Sequence, residues 1–274
     1  MNKKIIIILF IIFFIGVGAF VYFGQKNNQQ KELSYSGTIE TTQAKLSFQV
    51  PGRVAQVNIQ EGQPVLKDQI IAELDRAEFA SRYDQAKANV TSVQETFKDT
   101  KKNYKRFEEL FSKGVVTEKE RDTVKLAYEV TKSRLAESES ILNQASIRLG
   151  YTQLKSPMDG VVTSRNIEPG ETVNAGREVI TISDLSRVDL KIFVDETEIG
   201  KVKPNQKVEV KIDTFPGKSY MGYVAFISSE GEFTPKIIQT KKERVKLVYL
   251  VKVSIVNPDF ELKAGMPADA LLAQ

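Results

Sequence analysis

The sequence predicts a multi-domain, elongated α+β protein: an N-terminal transmembrane helix, a β-sandwich split by an antiparallel coiled-coil α-hairpin, and a small β-barrel. Three observations carry this. Ile5 to Phe23 contains no charged residue, residues 50–75 repeat at 158–183, and residues 76–150 hold a 3.5-residue apolar period without a proline. Composition narrows the chemistry. The 274 residues carry 39 Lys and Arg against 35 Asp and Glu, a net charge of +4, with no His, Cys or Trp. Zinc sites of His and Cys, Ser-His-Asp and Cys-His catalysis, CxxC redox chemistry and disulfides are all excluded. Near-balanced charge argues against a dedicated nucleic-acid binder. Catalysis would have to rest on carboxylates, Ser, Lys or Tyr, so the expectation is no enzyme, no metal and no cofactor.

At the N-terminus, the run from Ile5 to Phe23 would span roughly 28 Å as a helix, near the thickness of a bilayer core. A cleaved signal peptide is the alternative. The run is long for one and has no A-x-A exit, so residues 1–25 read as a retained anchor. Lys3 and Lys4 favour a cytoplasmic N-terminus, which places the rest outside the cytoplasm; Lys26 and Lys31 blur the asymmetry. Residues 26–33 are polar and read as a linker. Residues 34–48 read as strand joining the barrel.

Residues 49–75 and 151–184 are the two halves of the sandwich. At an offset of 108, Gly52 matches Gly160, Val54 Val162, Asn58 Asn166, Ile59 Ile167, Gly62 Gly170 and Val65 Val173. Ile71 and Leu74 match Val179 and Ile182 in type. Each copy alternates short apolar runs with glycine turns, the pattern of short strands.

Residues 76–150 read as the hairpin. In its first arm Phe79, Tyr83, Ala86, Val90, Val93, Phe97, Thr100, Tyr104 and Phe107 alternate spacings of four and three. Val124, Tyr128, Thr131, Leu135, Ser138, Leu142, Ala145 and Leu149 do so in the second. Such heptads pack two helices on one seam, with the polar Thr100, Thr131 and Ser138 expected to weaken it. Gly114–Thr117 supplies the reversal, and Thr117 with Glu120 is a capping-box pattern. Arms of this length project roughly 50 Å.

Residues 185–274 alternate strongly at Val188–Val194, Val208–Ile212 and Leu247–Val256, between turns at Pro204, Pro216, Pro258 and Gly265. This predicts a small barrel with a short helix near residues 194–204. Asp195, Glu196 and Glu198 read as a solvated helix start rather than an acid/base group.

Family resemblance enters at particular motifs. Val50-Pro51-Gly52-Arg53-Val54, Glu61-Gly62-Gln63-Pro64-Val65 and Ser156-Pro157-Met158-Asp159-Gly160-Val161-Val162 resemble the two halves of a biotinyl/lipoyl-type domain, with Gly52, Gly62, Gly160 and Gly170 as its turn glycines. The hairpin that holds the modified lysine in carrier proteins is replaced by the insertion, so the domain reads as a scaffold without cofactor. At the tip, Arg106-Phe107-x-x-Leu110-x-x-x-Gly114-x-x-Thr117 resembles the pattern with which periplasmic adaptors (membrane fusion proteins) dock on TolC-type outer-membrane channels. Phe107 stands where Leu is usual and Thr117 where Ser is usual. The resemblance makes Arg106, Phe107, Leu110, Gly114 and Thr117 the contact set. Each also has a structural job as seam, turn or cap, and both readings stand. The last third resembles the adaptor barrel, ending in Gly265-Met266-Pro267-Ala268, with Asn205 in place of a glycine. Glu232-Phe233-Thr234-Pro235 and Gln239-Thr240 are similar to haemolysin-D-type adaptors paired with ABC exporters. That makes Phe233, Thr234 and Pro235 a subgroup loop; an ordinary surface loop is the alternative.

The resemblance implies the adaptor of a tripartite export system. It would be a single-pass inner-membrane protein with its bulk in the periplasm, assembled as a homo-oligomer, commonly a hexameric ring. It would link an ABC-type transporter to the outer channel for efflux or secretion. Proton-driven multidrug pumps and protein-secretion transporters are alternatives within transport. A non-transport envelope tether or coiled-coil spacer is the alternative outside it; that reading leaves the split repeat unexplained.

Overall fold

The computed structural model describes residues 33–233 and 247–272. The anchor and most of its linker, and Thr234, Pro235, Gln239 and Thr240 of the subgroup loop, lie outside the described residues. Among the described residues no helix is long and apolar enough to cross a membrane. Buried apolar side chains gather in two separate cores. The chain divides accordingly, one unit spanning Gln43–Asp184 and the other combining the described residues up to Thr42 with those from Leu185. Two long strands, β1 (Leu33–Ser47) and β8 (Glu178–Asp195), give residues to both.

The first unit is the split sandwich with its insertion. Its strands are β2 (Gly52–Val57), β3 (Pro64–Val65), β4 (Ile70–Leu74), β5 (Gln153–Lys155), β6 (Gly160–Arg165), β7 (Thr172–Val173) and the start of β8. The repeat becomes a quasi-two-fold axis. Val54 pairs with Leu74 as Val162 pairs with Ile182. Each half then reaches into the other: Val65 pairs with Gly160, and Val173 with Gly52. Even the turn hydrogen bonds repeat, since Gly62 N–H donates to Val162 O and Gly170 N–H to Val54 O, both at 2.8 Å. Val54, Ile59, Val65, Ile71 and Leu74 and their counterparts Val162, Ile167, Val173, Val179 and Ile182 fill one core. The offset thus equates the core positions of both halves, because alternate residues of each strand point to the same interior.

Two of the four glycines read as turn glycines are not in turns. Gly62 and Gly170 adopt φ of 81° and 93°, the left-handed conformation a side chain resists. Gly52 and Gly160 instead open β2 and β6. They are needed for close approach: a Cβ on Gly160 would lie 2.7 Å from Ser183 O, and one on Gly52 3.1 Å from Leu74 Cδ1.

Between β4 and β5 stand α1 (Ala77–Ser112) and α2 (Glu118–Gly150). Every seam residue named from the heptads is buried or half-buried, while the positions between them are mostly exposed. The helices have almost no interior; their fully buried residues are Ala86 and Ser138. Tyr128 stacks between Phe97 and Tyr104, with ring centroids 5.6 and 5.2 Å away. The threonines expected to weaken the seam pair across it, Thr100 Oγ1 to Thr131 Oγ1 at 2.7 Å. One hydroxyl donates across, and the other is free to donate to a carbonyl of its own helix, such as Phe97 O or Tyr128 O at 3.0 Å.

The second unit is a closed barrel. The end of β8 and the start of β1 join β9 (Lys207–Lys211), β10 (Ser219–Phe233), β11 (Leu247–Val256) and β12 (Pro267–Leu272). The order is β1-β12-β9-β10-β11-β8, and β1 pairs back onto β8. Ile39, Leu190, Ile192, Val208, Val210, Val253 and Ile255 are among the residues filling it. Asn205 adopts a φ of 62°, as its place in a glycine-type turn requires. The short helix α3 covers only Glu196–Ile199. Its acidic group is not simply solvated, because Glu198 Oε2 accepts a 2.7 Å hydrogen bond from the Tyr35 hydroxyl. Burial and that carboxylate together raise the Tyr35 pKa well above the usual phenol value.

Candidate hairpin-tip docking site

The tip is built by two capping devices placed back to back. α1 ends with Gly114 at φ 73°. Val115 N–H then donates to Leu110 O and Gly114 N–H to Phe111 O, each at 2.9 Å. This is the Schellman arrangement, which satisfies the last carbonyls of a helix when the residue after it is left-handed. α2 begins with Thr117, whose backbone N–H donates to Glu120 Oε2 at 2.8 Å. Glu120 N–H donates back to Thr117 Oγ1 at 3.4 Å, closing the capping box. The backbone and hydroxyl of Thr117 hold the Glu120 carboxyl below its ordinary pKa.

The residues read from sequence as a contact set take different positions here. Gly114 makes the turn and Thr117 caps α2. Phe107 and Leu110 are half-buried, and Arg106 is exposed. Val115 is the apolar residue the tip offers to solvent, at 67% exposure. It was missed because a valine in a four-residue turn has no periodicity to mark it. A clamp was missed as well. The Arg121 guanidinium lies 4.4 Å over the Phe111 ring, and its NH2 is 2.7 Å from Asp122 Oδ1 and 3.3 Å from Glu118 Oε1. The Asp122 hydrogen bond raises its pKa further. Phe111 and Arg121 continue the two seam series, four residues after Phe107 and three before Val124, and a cation over the ring face closes the seam at its tip end. The subgroup position Phe233 ends β10, far in sequence from this tip, and is 70% exposed.

At the other end of the hairpin an open cleft of about 770 Å³ lies against the sandwich, lined in part by Pro51, Arg53, Phe79, Arg82, Arg148 and Tyr151. Two of its arginines are already engaged: Arg82 NH2 pairs with Glu78, and Arg53 Nε donates to Gly170 O at 3.3 Å. Among the described residues no group of three or more His, Cys, Asp or Glu could hold a metal ion.

Comparison with known proteins agrees with the geometry. The model of the CzcB-like barrel-sandwich hybrid domain matches residues 42–184, and the YknX-like beta-barrel domain matches residues 188–269. A UPF0194 membrane protein from the asrC 5' region of Acidithiobacillus ferridurans is 26% identical, over 97% of this chain and 94% of that protein. A MacA-MexA chimeric protein carrying the Pseudomonas aeruginosa MexA α-hairpin superposes with a TM-score of 0.65 at 27% identity, covering 88% of this chain and 79% of that one. The membrane fusion protein Spr0693 from Streptococcus pneumoniae R6 shares the fold, with a TM-score of 0.69 at 16% identity over 88% of this chain and 99% of that one.

Proposed function

The chain belongs to the membrane fusion (periplasmic adaptor) proteins, through a CzcB-like barrel-sandwich hybrid domain, and from that premise we propose that it is the adaptor subunit of a tripartite efflux or secretion system. The observation that carries this is the hairpin. Two helices of 36 and 33 residues bury only the seam between them and end in a rigidly capped turn. Helices with one internal apolar stripe leave their remaining faces to solvent, so the pair works as a strut and its tip as the contact.

In this proposal the tip, centred on Arg106, Phe107, Leu110, Gly114, Val115 and Thr117, docks on a TolC-type outer-membrane channel. Residues 5–23 anchor the chain in the inner membrane, and the bulk lies in the periplasm. The sequence around Phe233, Thr234 and Pro235 supports an ABC-type transporter as the inner partner. One small tip buries little area, and a ring of copies, hexameric as is common in the family, converts weak contacts into avidity. The chain supplies distance and shape, with no catalytic step of its own.

Val115→Asp tests the tip without touching the fold, because this side chain is exposed. Gly114→Pro tests the turn, since proline cannot adopt a φ of 73°. Both are expected to abolish efflux at normal protein abundance; unchanged efflux by Val115→Asp defeats the tip assignment. A C-terminal alkaline phosphatase fusion is expected to be active, and an inactive one defeats the topology.

A further inference from the structure

The cleft at the base of the hairpin has no role in the reading above, and it does not end at the sandwich. A second cavity of about 340 Å³ continues it between the helices, and Phe79, Arg82 and Arg148 line both. The seam explains this opening. Thr100 faces Thr131, and antiparallel helices keep such layers in step, so two heptads nearer the base Ala86 faces Ala145. Two methyl groups cannot fill a layer that Tyr83 and Leu149 fill on one side and Val90 and Leu142 on the other. The notch they leave is the second cavity, which both alanines line. Beside it Ile141 is 48% exposed, and at the sandwich end Tyr151 is 37% exposed. Neither belongs to the seam series.

Apolar and aromatic walls with a few polar groups are the make-up of a small-molecule site. The charges of this groove do not cancel. Arg53, Arg82 and Arg148 stand against Asp75 and Glu78. Glu78 is taken by Arg82, and Asp75 Oδ1 accepts from Ala77 N–H at 3.0 Å. Arg148 lies in the last turn of α2, where a cation suits the helix dipole. Yet among the described residues no hydrogen bond or ion pair occupies its guanidinium. It also sits where the two cavities meet, with Pro51 and Tyr151 on one side and Ile141 and Ala145 on the other. A planar cation with uncommitted N–H groups between two apolar stretches matches a carboxylate, sulfonate or phosphate carried on an apolar body.

We propose that the groove binds an amphiphilic organic anion, with its charged group on Arg148 and its apolar body laid into the notch over Ala86 and Ala145, between Phe79 and Ile141. The site stands on the groove alone and is independent of what the hairpin tip docks on.

The chain has no tryptophan, so one can be placed as the sole donor for energy transfer. Tyr151→Trp puts it on the groove wall, and Lys119→Trp at the far end of α2, roughly 45 Å away. Full-length protein carrying either change, in phosphatidylcholine nanodiscs, is titrated with the fluorescent anion 11-(dansylamino)undecanoate. Saturable transfer is expected from position 151, and from position 119 only the level set by probe in the bilayer. Arg148→Gln in the Tyr151→Trp background should weaken binding roughly ten-fold or more, the worth of one charge-assisted pair. The methyl ester of the probe should bind as weakly to protein that keeps Arg148. This side chain is exposed and unpaired, so the fold does not depend on it. Ala145→Leu fills the notch and should abolish saturable transfer at unchanged helix content by circular dichroism. Equal transfer from both positions overturns the proposal, as does an affinity indifferent to Arg148→Gln or to Ala145→Leu. Displacement of the probe by dihexanoyl-phosphatidylglycerol but not by dihexanoyl-phosphatidylcholine identifies the natural anion as a lipid. No displacement by either identifies it as a soluble solute.

Discussion

A methyl group added to Gly160 would press on a main-chain oxygen, whereas one added to Gly52 would press on the end of the Leu74 side chain. Backbone in a paired strand cannot retreat; a leucine terminus can. Gly160→Ala is therefore expected to cost about 1–3 kcal/mol and Gly52→Ala clearly less, read from urea unfolding. This asymmetry was not legible in the sequence, where the two glycines are equivalent by the repeat. The Thr117–Glu120 cap has its own signature. A carboxyl held below its ordinary pKa stabilises the folded tip at neutral pH and loses that contribution as pH falls through the lowered value. Amide exchange at the start of α2, corrected for its intrinsic pH dependence, should lose protection below the usual carboxylate range. The Glu120→Gln variant should lack that step. Thr117→Ala should cost the helix start about 1 kcal/mol.

At the scale of the element, the hairpin was the most legible part of the chain. Heptad spacing is imposed by geometry along the whole seam, so each residue repeats the message of its neighbours. What escaped was set by the register between the arms, which single-helix periodicity does not contain. Thr100 and Thr131 look like flaws on their own helices and become a pair only when the second helix is laid antiparallel at one particular offset. Thr100→Val and Thr131→Val are each expected to cost about 0.5–1.5 kcal/mol, and the double substitution less than their sum, because removing both partners leaves no stranded hydroxyl. Additive costs in a thermal-unfolding cycle would show that the two hydroxyls act independently. Tyr128→Ala removes both aromatic stacks at once and should destabilise the hairpin more than either threonine change.

Across the whole molecule, the sandwich, hairpin and barrel were legible because each has its own period. The short α3 was legible too, but its Tyr35–Glu198 bond was not, since that contact joins the first barrel strand to a helix 163 residues later. The insertion sits on closely spaced ends: Leu74 N–H donates to Thr152 O at 2.8 Å. Replacing residues 77–150 with a short glycine-rich link should therefore leave a cooperatively unfolding sandwich while abolishing export; loss of the folded sandwich would show that the helices hold it together. The same proximity bears on how the chain reaches its fold. The two sandwich halves are useless apart, since each borrows a strand partner from the other. Closing a flexible loop of about 75 residues to bring them together would cost roughly 4 kcal/mol of chain entropy. Helices need no such search, for their contacts are local and a hairpin zips from its turn. As α1 and α2 close from Gly114 downward, they deliver residues 74 and 152 to the same place with the loop already spent. The strut that reaches outward in the finished protein is then also its assembly jig, and seam substitutions should slow refolding of the sandwich more than they speed its unfolding.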